Sequence, residues 1–282
     1  MGYPDAGKSN YIFRLWLAIR DGKKRDLLPD GSPDEAEYLN TGVQTQLGGA
    51  FAGHTPAATQ EFSRIPVISK GNKVKLILPD RPGEDWLRVY RERRWPEAWE
   101  KLVDANTSCL IFLRIHSKNN RSLIDWMTVQ QAYGNRGNFA RPSTAFEDVE
   151  PTQVVLVEWI QMLSMLYKRQ TSEGVRPRIG IVLSAWDLLS QDDAALGPRG
   201  YMESEYGFLA DFLESNSDRF EFEVFGVSLY GGDFKHQAAF KKDFLDGDPS
   251  KLGYVLRQSG ATITESDDLT VPIMWALEDN SV

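Results

Sequence analysis

The sequence predicts an α/β protein of three layers, a mostly parallel central sheet with helices on both faces. Three observations predict it. Short apolar runs alternate with helical patterns along the 282 residues, the pattern of parallel strands joined by crossover helices. The chain opens on Gly2-Tyr3-Pro4-Asp5-Ala6-Gly7-Lys8-Ser9, which fits the phosphate-loop pattern Gly-x4-Gly-Lys-Ser/Thr at every specified position. Polar segments bearing aspartate or glycine follow several of the apolar runs directly, and open α/β sheets bind ligands at the carboxyl ends of their strands.

The loop comes first in the chain. Its glycines let backbone amides turn inward toward phosphate oxygens, with Asp5, Ala6, Gly7 and Asn10 in the same cradle. Lys8 brings an ammonium to the β- and γ-phosphates, and Ser9 offers a hydroxyl to Mg²⁺. Such a loop joins a buried strand to a helix, yet only Met1 precedes Gly2. The expectation is a sheet from which the strand before the loop is missing.

Residues 8–20 carry Ile12, Phe13, Leu15, Trp16, Leu17 and Ile19, a strongly apolar helix ended by Asp21-Gly22. Residues 27–60 show no sustained period and read as one long functional loop. Two strands follow, near 64–69 and 73–79, with Gly71-Asn72 as their turn. A polar helix studded with Trp86, Tyr90, Trp95 and Trp99 is expected over 85–105, its tryptophans serving the core or an interface. The run Arg91-Glu92-Arg93-Arg94 reads as a solvated face. Ser108–Ile115 reads as a buried strand.

Residues 116–150 read as a polar insertion, and 151–170 as a buried helix. Arg178–Leu183 is a second buried strand, 200–217 a helix, and Phe220–Val227 the last strand. Residues 233–270 are expected to be loop and polar helix, and Val271–Glu278 a closing helix. With no repeat and no linker in sight, the reading is one domain over 1–282 with insertions near 116–150 and 233–270.

Composition narrows the partners. The chain is 41% apolar and 26% charged with a net charge of -8, which argues against a surface dedicated to nucleic acid or anionic lipid. Its one cysteine, Cys109, leaves no internal disulfide and no cysteine-based zinc site. His54, His116 and His236 lack metal-ligand spacing. No apolar run approaches the ~18 residues of a membrane span, and the start is not a signal peptide. The expected compartment is the cytoplasm.

Further motifs sit at strand ends. Asp80-Arg81-Pro82-Gly83 puts a carboxylate where it can reach Mg²⁺ and a glycine amide where it can meet a γ-phosphate; alone, it is also an ordinary turn. Arg81 could lend charge to the transition state or make a surface ion pair. Ser184-Ala185-Trp186-Asp187 occupies the place where guanine-nucleotide proteins carry Asn/Thr-Lys-x-Asp, whose aspartate accepts hydrogen bonds from guanine N1-H and the exocyclic amine. An aspartate after a strand is equally a helix N-cap. Ser228 and Leu229 follow the last strand, where the final base-contacting loop belongs.

In this order, over residues 2 to about 232, the chain resembles the P-loop GTPases of the translation-factor-like class. Trp186 before the aspartate, the Gly53-His54-Thr55-Pro56-Ala57-Ala58-Thr59 segment and the closing Leu269–Leu277 stretch are similar to the bacterial double-GTPase group, whose members are linked to multi-gene conflict and defence systems. The resemblance implies GTP/GDP and Mg²⁺ as ligands, with Ser9, Thr59 and Asp80 at the metal and Lys8, Thr59, Gly83 and Glu84 at the reacting phosphate. Thr59, 21 residues before Asp80, is the first choice for the switch threonine and Thr55 the second. Ala185 replaces the usual lysine, Ser184 the usual asparagine or threonine, and Glu84 a frequent water-orienting glutamine.

The sequence therefore predicts a GTP-binding switch with slow Mg²⁺-dependent hydrolysis and a protein partner or activator at its switch segments. An ATPase or kinase-like phosphotransferase is one alternative. A degenerate, non-catalytic interaction module is the other.

Overall fold

A computed structural model describes residues 1–21, 26–53, 63–78, 81–105, 107–123, 150–171, 176–234, 237–248 and 252–278. The chain is α/β, with a mixed five-stranded sheet and a separate three-stranded one.

Helix α1 (Lys8–Asp21) follows the phosphate loop and is buried almost all round, from Tyr11 to Ile19. A helix apolar on every side belongs inside the protein, and α1 packs on α2 (Ala36–Leu47) and β1 (Leu27–Pro29). Gly42 permits the approach, since a Cβ there would lie 2.4 Å from the Phe13 ring. Strands β2 (Ser63–Ser69) and β3 (Asn72–Leu78) form the expected hairpin, and β1 joins β2 antiparallel. Its turn is Lys70-Gly71, both at positive φ, one residue earlier than expected; glycine takes that conformation without steric cost.

Strands β4 (Ser108–Arg114), β5 (Arg178–Ser184) and β6 (Glu221–Ser228) are mutually parallel. Helix α5 (Thr152–Gln170) makes the first crossover, and α6 (Gln191–Ala195), α7 (Gly197–Glu205) and α8 (Gly207–Ser215) make the second. All of β5 is buried, as an Ile- and Val-rich run covered on both faces should be. Met1 and Gly2 lie beside β4: the Phe112 amide donates to Met1 O at 2.8 Å, and Gly2 bridges Phe112 in the parallel sense. The main apolar core joins residues from Tyr3 to Trp275, and a smaller one joins Tyr230, Phe234 and Phe244.

The structure corrects the sequence reading in four places. The segment 27–60 contains β1 and helix α2, which buries Leu39, Gly42, Val43 and Gln46, at helical spacing. The helix expected over 85–105 is two, α3 (Gly83–Glu92) and α4 (Glu97–Glu100), because Arg93 turns left-handed and Pro96 cannot continue a helix. The helix expected over 200–217 also divides, with Tyr206 as the break between α7 and α8. Residues 233–270 hold α9 (Ala238–Asp246) and a hairpin of β7 (Tyr254–Ser259) and β8 (Thr262–Ser266) that extends the sheet antiparallel from β6. β6 is therefore not the last strand, and among the described residues parallel pairing of the strands is confined to β4–β6. Helix α10 (Val271–Ala276) then packs on β4 and β5. No helix among the described residues is long and apolar enough to cross a membrane.

The tryptophans form a cluster in the core. Trp86 and Trp99 have ring centroids 4.1 Å apart, Trp86 and Trp159 6.2 Å, and the Trp159 indole donates to Trp86 O at 3.1 Å. The adjacent basic run is exposed, as expected, with Arg93 paired to Glu158 at 3.2 Å and Arg91 to Glu150 at 3.7 Å.

Buried phenols make this core alkali-sensitive. Burial lifts Tyr3 and Tyr201 from 10.0 to about 12 and pushes Tyr11, Tyr206 and Tyr230 up as well. An unfolded chain would release these protons near pH 10.0 while the folded chain holds them, so the unfolded state binds fewer protons above that value. Their contribution to stability is complete below pH 10.0 and is lost as pH rises toward about 12. Tyrosinate absorbance and far-UV circular dichroism should therefore change together in an alkaline titration. Full ionisation with helical signal intact would contradict this burial.

Candidate functional site

The loop between Gly2 and Lys8 closes on itself before it closes on anything else. The Ala6 amide donates to Tyr3 O at 3.2 Å, and the Lys8 ammonium donates to Gly2 O and Tyr3 O at 3.1 and 3.0 Å. Asp5 and Gly7 take positive φ, 63° and 81°, a conformation that aspartate tolerates better than most residues. Three neighbours fix the cradle. Arg114, ending β4, donates to Asp5 Oδ2 at 2.7 Å; Ser184, ending β5, donates to Ala6 O at 2.9 Å; Asn119 donates to Pro4 O at 3.3 Å. Gly83, opening α3, sits against the loop so closely that a Cβ would fall 2.0 Å from Pro4 N.

In front of the loop is a cavity of about 410 Å³, bounded by residues 4–10, 51–53, 81–84 and 114, and by the segments after β5 and β6. It lies where strand ends, loop and helix N-terminus meet, the place ligands occupy in open α/β sheets. The 14-residue α1 begins at Lys8, so its positive end faces this space. Lys8, Arg81 and Arg114 bring positive charge to the wall, and Asp5, Glu84, Asp187 and Asp233 bring negative charge.

The wall after β5 is built from Ala185, at φ 60°, and a single 3₁₀ turn, Trp186–Leu188. Trp186 is buried edge-on to Tyr201, and only glycine fits beneath it, since a Cβ on Gly226 would lie 2.6 Å from the indole. This places Asp187 at the cavity, where Oδ1 accepts the Ser228 hydroxyl at 2.5 Å. The Gly231 amide donates to Ser228 Oγ at 2.9 Å, completing a relay from the β6 end to the carboxylate. The cap of the next helix is Ser190, which accepts the Asp193 amide, so Asp187 does not serve as a helix cap.

Two aromatic residues, Phe51 and Tyr230, also border the cavity. Phe51 stands 4.8 Å from Phe234 and 6.3 Å from Tyr230 between ring centroids. Tyr230 donates its hydroxyl to Gln46 Oε1 at 2.7 Å, and the Arg14 guanidinium lies 5.2 Å from its ring. Asn10 ties the Phe51 segment to α1: Ala52 N donates to Asn10 Oδ1 at 2.9 Å, and Gln46 donates to Asn10 O at 2.9 Å.

Of the residues singled out from sequence, Asp5, Ala6, Gly7, Lys8, Ser9, Asn10, Gly83, Glu84, Asp187 and Leu229 border this one cavity. Ser228 stands behind Asp187, fully buried, and positions it. Arg81 also borders the cavity and pairs with Asp85 at 3.0 Å. Thr55, Thr59 and Asp80 lie outside the described residues. Sequence reasoning missed Arg114, Phe51 and Tyr230. A lone charge ending the apolar run Cys109–Leu113 could have marked Arg114; nothing local marks the two aromatics, which meet only in the fold.

Compared with known protein families, residues 1–276 match the Double-GTPase 1 family. No curated protein and no solved structure matches the chain. With nearly its whole length matched, this chain belongs to the Double-GTPase 1 family.

Proposed function

We propose that this chain binds a purine nucleoside triphosphate with Mg²⁺, prefers GTP, hydrolyses it slowly and acts as a nucleotide-controlled switch. The observation that carries the reading is that one cavity is bordered both by the loop residues Asp5–Ser9 and by Asp187, a carboxylate held by Ser228. The family name points to the same ligand. The reading treats 1–282 as one three-layered domain.

The loop would meet a triphosphate with backbone amides, the Lys8 ammonium and the N-terminus of α1. Ser9 borders the cavity and would hold Mg²⁺ together with Asp80 and Thr59. That ion supplies neutralising charge for the phosphate oxygens. Lys8 holds its ammonium at the loop and lends positive charge there. Glu84, exposed at the start of α3 beside Gly83, orients the attacking water, but its own charge opposes the phosphates and keeps turnover slow. Arg114 is already ion-paired with Asp5, which keeps that cation at the loop. Phe51, half-buried at the cavity, would offer a face for the base.

The γ-phosphate would order residues 45–60 and 80–95, and their release after hydrolysis would be the signal. A protein partner or activator would read those segments, in a bacterial conflict or defence setting in the cytoplasm.

Base selectivity tests the reading. Asp187→Ala should weaken GTP by about tenfold to a hundredfold, the worth of hydrogen bonds to a charged acceptor, and leave ATP unchanged. Ser228→Ala should give a smaller loss in the same direction. Equal losses for the two nucleotides would remove the guanine assignment and favour the ATPase alternative.

A further inference from the structure

Lys8, Arg81 and Arg114 all border the cavity in front of the phosphate loop, and they differ in how firmly they are held. Lys8 is buried and closes the loop through Gly2 O and Tyr3 O. Arg81 is anchored on α3, with Nε 3.0 Å from Asp85 Oδ2 and its guanidinium 5.5 Å from the centre of the Trp99 ring. Arg114 is held more lightly. Among the described residues its guanidinium has one polar partner, Asp5, whose Oδ2 accepts from Nη1 at 2.7 Å. A guanidinium carries five N–H donors in a planar fork, so this contact leaves most of them available.

The backbone beneath Arg114 is firmly placed. Arg114 closes β4 in register with Ser184, and the next amide, Ile115 N, donates to Ser184 O at 3.0 Å. Its carbonyl accepts the Asn120 side chain at 2.8 Å. The ion pair itself is partly exposed, its side chains 34% and 41% accessible, and a pair so open to water contributes little to stability. Stability alone does not account for a cation at this point of the wall. Its carboxylate partner belongs to the loop that would meet the phosphates, and offsets the charge of Arg114 there.

We propose that Arg114 is a catalytic residue, a cation from the end of β4 that stabilises the transition state of triphosphate hydrolysis, while Asp5 holds it in place and moderates its charge. The role rests on the GTPase reading above. In that reaction a water oxygen bonds to the γ-phosphorus as the bond from this phosphorus to the β–γ bridging oxygen breaks. The diphosphate leaves with the electron pair, and one water proton passes to the released phosphate. Negative charge is spread over the oxygens of the transferring group and grows on the leaving oxygen. A fixed cation beside them acts most strongly at that point, because it needs no reorganisation. Asp5 then joins Glu84 in holding turnover down.

Phosphate release at saturating GTP and Mg²⁺, equilibrium binding of a fluorescent GTP analogue and thermal unfolding are measured on the full chain and three variants. Arg114→Ala is expected to lower kcat by about a hundredfold or more, the size of one preorganised transition-state contact. Affinity should change by less than about tenfold, since the contact strengthens only in the transition state, and the melting temperature should hold. Arg114→Lys should recover part of the loss, because the charge stays and the fork does not. Asp5→Asn keeps an oxygen for the Nη1 hydrogen and suits the φ of 63°; it removes the opposing charge, so kcat should rise severalfold. A merely stabilising ion pair is weakened by either substitution, and both would then shift the chain the same way. Equal losses of kcat in Arg114→Ala and Asp5→Asn therefore overturn the proposal. So does an Arg114→Ala chain that turns over at the unmodified rate, whatever its affinity. An unmodified chain that releases no phosphate overturns the GTPase reading itself, so the two failures are read in different samples.

Discussion

Lys8→Ala is expected to weaken triphosphate binding by about a hundredfold. Lys8 is buried, 8% exposed, and its ammonium donates to Gly2 O and Tyr3 O across the loop. A hydrogen bond to a charged partner is worth ~1.5–3 kcal/mol, and a hundredfold corresponds to about two such units at the lower end. The substitution also removes the two bonds that close the loop, so a modest loss of stability should accompany it. Thermal unfolding followed beside equilibrium binding separates the two effects. Unchanged affinity in the variant would mean that the phosphates do not lie against this loop.

Gly83→Ala is the second large expectation, and its effect starts as pure sterics. The added methyl would lie 2.0 Å from Pro4 N, 2.3 Å from Pro4 Cα and 2.5 Å from Tyr3 C. All three are backbone atoms, so no side chain can rotate away; α3 and the phosphate loop must separate. Overpacking of this kind costs ~1–3 kcal/mol, and at ~2–4 °C per kcal/mol for a chain of this size the melting temperature should fall by ~5 °C. Displacing the loop should also carry off most of the nucleotide affinity. Glu84→Ala, one residue along and solvent-exposed, should leave the melting temperature unchanged. A Gly83→Ala chain with native melting temperature and affinity would contradict the contact between α3 and the loop.

Sequence served best where a pattern is local and strong. The apolar faces of α1 and α5, the β2–β3 hairpin and the buried runs of β4, β5 and β6 all carry their periodicity in consecutive residues. The phosphate loop needs no fold to be recognised, because the spacing of Gly2, Gly7, Lys8 and Ser9 is itself the geometry. Helix α2 was lost because its buried face rests on Leu39, Gly42, Val43 and Gln46, two of which are not apolar. Gly42 looks like a breaker in sequence; in the fold it is where α1 comes closest. Strand β8 was lost for the opposite reason: most of it is exposed, so nothing in its composition records that β7 needs a neighbour.

The site divides in the same way. The part of the cavity wall built by residues 4–10 is contiguous in sequence. Another part is assembled from Phe51, Asp187, Leu229 and Tyr230, drawn from three separate segments. Asp187 could be placed by its position after β5, but not the hydroxyl that orients it. Nor could sequence alone set aside the helix-cap reading of Asp187, which required seeing Ser190 in that role.

The most direct test of the account is equilibrium binding of fluorescent GTP and ATP analogues to the unmodified chain, with and without Mg²⁺. The account predicts saturable, Mg²⁺-dependent binding of one GTP per chain, with ATP competing poorly. A chain that gives a cooperative thermal transition yet binds neither nucleotide would contradict it, and would leave the cavity before the phosphate loop without the ligand assigned to it.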